Sequence, residues 1–179
     1  MRRAVVLVLA LALAGCSSGT STQFSRRPKP SPTALPSLPG RCRLGPDGRP
    51  DLACTPGVLN KAVTQATIGK TICKPGWTAT IRPPLAYTDA LKRQQIAAYG
   101  YTDTKLSSYE EDHLVPLELG GSPTDPRNLW PEARVSVGGR AEDKDRAENA
   151  GKVAVCSGLA TLAAAQAKII ADWGPAGAA

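Results

Sequence analysis

Apolar positions recur with a helical period in two stretches of this chain and alternate with polar ones in others. Between Thr88 and about Tyr99, the residues Leu91, Gln95, Ile96 and Tyr99 fall near one face. Thr88 can cap that stretch and Gly100 can stop it, which predicts a helix. Thr161 can cap a second helix running to Trp173, with Leu162, Ala165, Ile169, Ile170 and Trp173 on one stripe and Gly174-Pro175 as terminator. Residues 141–154 predict a further, more polar helix. Trp77-Thr-Ala-Thr-Ile-Arg82 alternates large or apolar with polar residues and predicts a strand ended by Pro83-Pro84. Leu114 to Leu119 predicts a short apolar strand that Pro116 confines to a sheet edge. A Gly120-Gly121-Ser122-Pro123 turn and a brief return strand at Asn128-Leu129-Trp130 follow. The fold class expected is α+β, a small helical domain with an embedded hairpin, and no internal repeat is visible.

The front of the chain is of a different kind. Residues 1–15 have a basic start at Arg2 and Arg3 and then an apolar run of small and branched residues. That is the pattern of a signal peptide, too short for a spanning helix. Leu13-Ala-Gly-Cys16 resembles the lipobox of bacterial lipoproteins, which implies cleavage before Cys16 and acylation of its thiol. Residues 16–40 then read as a lipidated cysteine and a tether rich in Ser, Pro and Thr, with too little apolar surface to offset its ordering entropy. The folded domain is expected over 41–174, with a disordered tail at 175–179. The address implied is the outer face of the bacterial cytoplasmic membrane or the cell envelope, with the membrane as partner through the lipid.

Charge adds little to this picture. The net charge is +7, but five basic residues and no acidic ones lie before residue 41. The remainder carries 17 basic against 15 acidic residues, so no broad nucleic-acid footprint is evident. Four cysteines lie beyond the lipobox: Cys42, Cys54, Cys73 and Cys156. An even number in an exported chain suggests two disulfides, and their spacing matches no compact zinc motif. Of three connectivities, Cys42–Cys54 with Cys73–Cys156 is favoured: the first closes a Gly/Pro-rich loop, the second joins the regions flanking the acidic segment.

That segment is Tyr109-Glu-Glu-Asp-His-Leu-Val-Pro-Leu-Glu-Leu-Gly-Gly121, followed by Asn128-Leu-Trp-Pro-Glu132. It holds the only histidine in the chain, His113, directly after Asp112. An imidazole suits proton transfer near neutral pH, and a carboxylate suits a hard cation. Asp-His, a Gly-Gly turn and Asn-Leu together resemble the core of the HNH endonuclease family, most closely secreted members with a later Lys-Asp pair. The resemblance implies a ββα-metal finger. It implies His113 as general base on water, Asp112 as ligand of one divalent ion, and Asn128 as the residue that steadies the loop and the histidine. The implied activity is metal-dependent, low-specificity phosphodiester hydrolysis of nucleic acid, DNA ahead of RNA, with no oligomer implied.

One departure is plain: no second histidine exists to serve as the helix ligand. Asp145, Glu148, Asn149 and Lys152 share one helix face by spacing, and Asp145, then Glu148, are the candidate substitutes. Carboxylates shift the preference toward hard ions such as Mg²⁺, Mn²⁺ or Ca²⁺; the ion expected is Mg²⁺ or Mn²⁺, with Zn²⁺ or Ca²⁺ behind them. The same stripe also reads as a solvated helix face. Arg127, Arg134, Arg140 and Lys144 are candidate phosphate contacts, while Glu110 and Glu111 are expected to face solvent and Trp130 and Trp173 to be core. The alternative of another class is a non-catalytic, envelope-binding lipoprotein that keeps a degenerate finger as scaffold.

Overall fold

The computed structural model describes residues 40–45, 48–136 and 139–173, with side chains from 136 to 140 left aside. The lipobox with Cys16, the tether up to residue 39 and the tail lie outside the described residues. The architecture is α+β. Two helices, α1 (Trp77–Ile81) and α2 (Leu85–Ala98), precede a hairpin of β1 (Tyr109–His113) and β2 (Leu129–Ala133). A small second hairpin, β3 (Val135–Ser136) and β4 (Gly139–Arg140), leads into α3 (Ala141–Cys156) and α4 (Leu162–Ala171). β1 and β2 run antiparallel, with Asp112 opposite Trp130 and His113 opposite Leu129.

Three sequence expectations change. Trp77–Ile81 is a helix, not a strand. None of its residues is buried, so its alternation has no second face to serve. Gly76 in the left-handed region opens it (φ 77°), and the extended Arg82 before Pro83 closes it. Next, α2 begins at Leu85 after Pro84; Thr88 lies within it and donates its hydroxyl to the Leu85 carbonyl instead of capping. The third change concerns Leu114–Leu119. The strand ends at His113, and Leu117–Leu119 is a 3-10 turn.

The reason lies in the core. Leu114 packs with Cys42, Cys54, Tyr99 and Trp130. Val115 packs in a second cluster with Val63, Ile72, Leu119, Val155, Leu162 and Ile169. Two adjacent, fully buried residues thus anchor the segment in two different clusters. Asn128, also fully buried, closes the loop between them. Its Oδ1 accepts from Val115 N at 3.0 Å, and its Nδ2 donates to the carbonyls of Val115 and Ser122 at 3.0 Å each. A Cβ at Gly121 would lie 1.7 Å from the Val115 oxygen and 2.6 Å from Asn128 Nδ2, so only glycine fits there.

The buried faces of α2 and α4 are those the sequence predicts. Leu91, Gln95 and Ile96 are buried on α2, and Gln95 Nε2 donates to the carbonyls of Leu129 (2.6 Å) and Pro126 (3.1 Å), fixing α2 against the hairpin. Thr161 caps α4 by accepting from Ala164 N, and Leu162, Ala165 and Ile169 are buried. The helix stops at Ala171, two residues short of Trp173. The disulfides are Cys42–Cys54 and Cys73–Cys156, the favoured pairing.

Candidate active site around Asp112 and His113

Strand β1 sends alternate side chains to opposite faces. Glu110 and Asp112 therefore share one face, and α3 packs its first turns beside them. Lys144 reaches in from α3 with its side chain 1% exposed. Its ammonium lies 2.5 Å from Asp112 Oδ2, bonds Glu148 Oε1, and donates to the His113 carbonyl oxygen at 2.8 Å. The Trp130 and Trp173 rings cover it, with centroids 5.4 and 5.9 Å away. Lys144 is thus no surface cation and cannot meet a phosphate from outside, contrary to the sequence expectation.

The ion pairs set the charges. Burial works against charge on Lys144, but Asp112, Glu148 and Glu132 outweigh it and raise the ammonium above its ordinary range. Burial also pushes Asp112 upward; the Lys144 ammonium more than compensates, and the carboxyl stays below its ordinary value. Glu132, buried on β2, is raised by burial and by Asp112. Glu148 is raised by burial in spite of Lys144. Asp145 is raised by burial and then by Asp112.

A pocket of about 210 Å³ opens here, lined among others by Arg82, Asp112, His113, Glu118, Asp145 and Glu148. Four residues expected from sequence to form a site therefore line one pocket: Asp112, His113, Asp145 and Glu148. His113 is 5% exposed, and its Nε2 lies 3.1 Å from the Pro123 carbonyl oxygen. A carbonyl only accepts, so in the neutral ring Nε2 carries the proton and Nδ1 is the basic nitrogen. Burial, aided by Lys144 and Arg82, holds the imidazole below its usual pKa, with Asp112 and Pro123 opposing.

Of the remaining candidates, Asn128, Arg127 and Arg134 do not line this pocket. Asn128 is spent on loop backbone. Arg127 is exposed and paired with Asp125 at 2.8 Å. Arg134 is exposed and paired with Glu110 at 3.0 Å. The Arg140 side chain lies outside the description. Arg82 was not singled out by sequence; it is exposed at the end of α1, lines the pocket, and makes no ion pair among those described. Its only local signal is its place just before Pro83-Pro84, in a segment tied to α3 through Cys73. Glu118, held at 3.4 Å by Lys152, was also missed.

Glu111 corrects another expectation. It points to the other face, toward α2, and both its carboxyl oxygens are buried without a hydrogen-bond partner. Burial first, then Asp112 and Asp89, push it from 4.5 to about 9 against the opposing charge of Lys92. A carboxyl raised on folding destabilises the fold from its unfolded pKa upward, and the penalty grows until pH reaches the folded value. Glu111→Gln is therefore expected to stabilise the protein at pH 7 by up to about 3 kcal/mol. The gain should vanish near pH 4, which urea unfolding of both proteins at the two pH values would check.

No described helix is long and apolar enough to cross a membrane. Comparisons with family models, with curated proteins and with solved structures return no match.

Proposed function

We propose that this chain is a phosphodiester hydrolase acting on nucleic acid, DNA ahead of RNA, through the Asp112–His113 pocket. The observation that carries it is a single pocket lined by an imidazole held below its usual pKa, by two aspartates and by the exposed Arg82. The order hairpin, then helix, with Asp112 and His113 at the end of β1 and Asp145 on α3, supports a ββα finger of the HNH kind.

The donor set fits one kind of ion. No three His, Cys, Asp or Glu side chains converge into a cage among the described residues. Magnesium-like ions need no such cage; they are held by one or two carboxylates, with water and substrate phosphate completing the shell. Asp112 and Asp145 line the pocket and would hold it; Glu148 lines it too, and one oxygen each of Asp112 and Glu148 is bonded to Lys144. When bound, such an ion supplies positive charge against the charge developing on the phosphate. His113 takes the proton of the attacking water at Nδ1, in a ring oriented by the Pro123 carbonyl. Arg82 orients the phosphate. Lys144 keeps Asp112 ionised and fixes the backbone of His113. No recognition helix or base-reading module is apparent in the sequence, which goes with low sequence specificity.

The two disulfides support an oxidising compartment, and with Leu13–Cys16 they favour a lipid-anchored protein at the outer face of the membrane. A non-catalytic envelope-binding role is the alternative, favoured by Lys144, which already neutralises part of the carboxylate cluster. Supercoiled plasmid and the purified full chain separate the two. Nicking with Mg²⁺ or Mn²⁺, lost in Asp112→Ala together with the calorimetric Mn²⁺ signal, is the expected result. No nicking and no divalent binding at millimolar concentration would leave the scaffold role.

A further inference from the structure

We propose that Lys144 is a built-in counter-ion whose ammonium competes with a divalent ion for Asp112 and Glu148. This rests on the hydrolase reading only in placing the ion at Asp112.

The surroundings of Lys144 Nζ are those of a bound hard cation: two carboxylate oxygens and one backbone carbonyl, from Asp112, Glu148 and His113. Hard metal ions take the same oxygen types. The side chain is 1% exposed, so the charge is fixed by the fold and not drawn from solvent. Glu132, also buried, adds a third carboxyl to the same field. Ion-free carboxylates packed this closely repel one another, and a single internal ammonium relieves that repulsion. Asp145, next to Lys144 in sequence, lines the pocket outside this arrangement, where an arriving ion would first meet it.

Two consequences follow from competition. The ammonium keeps the site assembled without metal, and it weakens the metal by like-charge repulsion and by occupying two ligands. Removing it frees Asp112 and Glu148 to join Asp145, so the ion gains ligands and loses a repelling neighbour.

The test uses the full chain, with Mn²⁺ as probe. Lys144→Met is expected to bind Mn²⁺ at least about tenfold more tightly by calorimetry. It should also melt lower than the parent in EDTA and gain more from millimolar Mn²⁺ than the parent does. If that variant is unfolded in EDTA, recovery of its helical circular dichroism on adding Mn²⁺ supports the proposal. Lys144→Met with Glu132→Gln takes one carboxyl out of the cluster along with the ammonium, guarding against its collapse, and should show the same tighter binding. Affinity equal to or weaker than the parent's in both variants overturns the proposal. A parent that binds Mn²⁺ and nicks DNA beside such variants would leave the hydrolase reading standing. Absence of binding in parent and variants would sink both.

Discussion

Alanine in place of His113 is expected to slow plasmid nicking by roughly 10²–10⁴-fold while leaving Mn²⁺ affinity near the parent's. The split follows from position. Asp112 and Asp145 would carry the ion, whereas the imidazole, tied through Nε2 to Pro123, offers Nδ1 for a proton. Burial keeps that ring below its ordinary pKa, so it is neutral at pH 7 and would serve as the base. The acidic limb of the rate profile should therefore lie below 6.5, the ordinary histidine value, and be absent from the alanine variant. Nicking by His113→Ala at the parent's rate would remove His113 from the chemistry.

Opening the Cys73–Cys156 bridge is expected to have the largest effect on stability. The bridge spans 83 positions, and the chain-entropy model gives about 4.5 kcal/mol for a loop of that size. Cys42–Cys54, spanning 12, gives about 3 kcal/mol. The long bridge also acts on the site. Cys156 ends α3, which carries Lys144, Asp145 and Glu148, and Cys73 lies just before α1, which leads into Arg82. Both walls of the pocket are thereby tied together. The double change to serine should lower the urea midpoint and also weaken Mn²⁺ binding; an unchanged affinity would make the bridge a general staple only. The short bridge, remote from the motif in sequence, is not remote in space: it packs with Leu114 and Trp130, directly behind His113 and Lys144.

What was legible in the sequence was local. Asp112 and His113 are neighbours, so their conjunction needs no folding to be seen. The α4 stripe and its threonine cap are contained within one turn or a few. The disulfide pairing followed from which loops two bonds would close. What was not legible depends on docking. Lys144 sits in a polar run that reads as a solvated face, and only the packing of α3 against the hairpin under two tryptophan rings buries it. Arg82 reaches the pocket from thirty residues upstream. Trp77–Ile81 failed for another reason: alternation over so few residues suits one helical turn as well as a strand, and no partner strand lies beside it among the described residues.

Leu114 and Val115 bear on how the site can fail. Each is rooted in a different cluster, and both backbone amides are held by Asn128, one by its carbonyl and one by its side chain. A segment at the edge of one core can fray while the rest of the protein holds; a segment riveted between two cannot. The stretch that follows His113 thus has no private route to solvent, and displacing the histidine is expected to require opening both clusters.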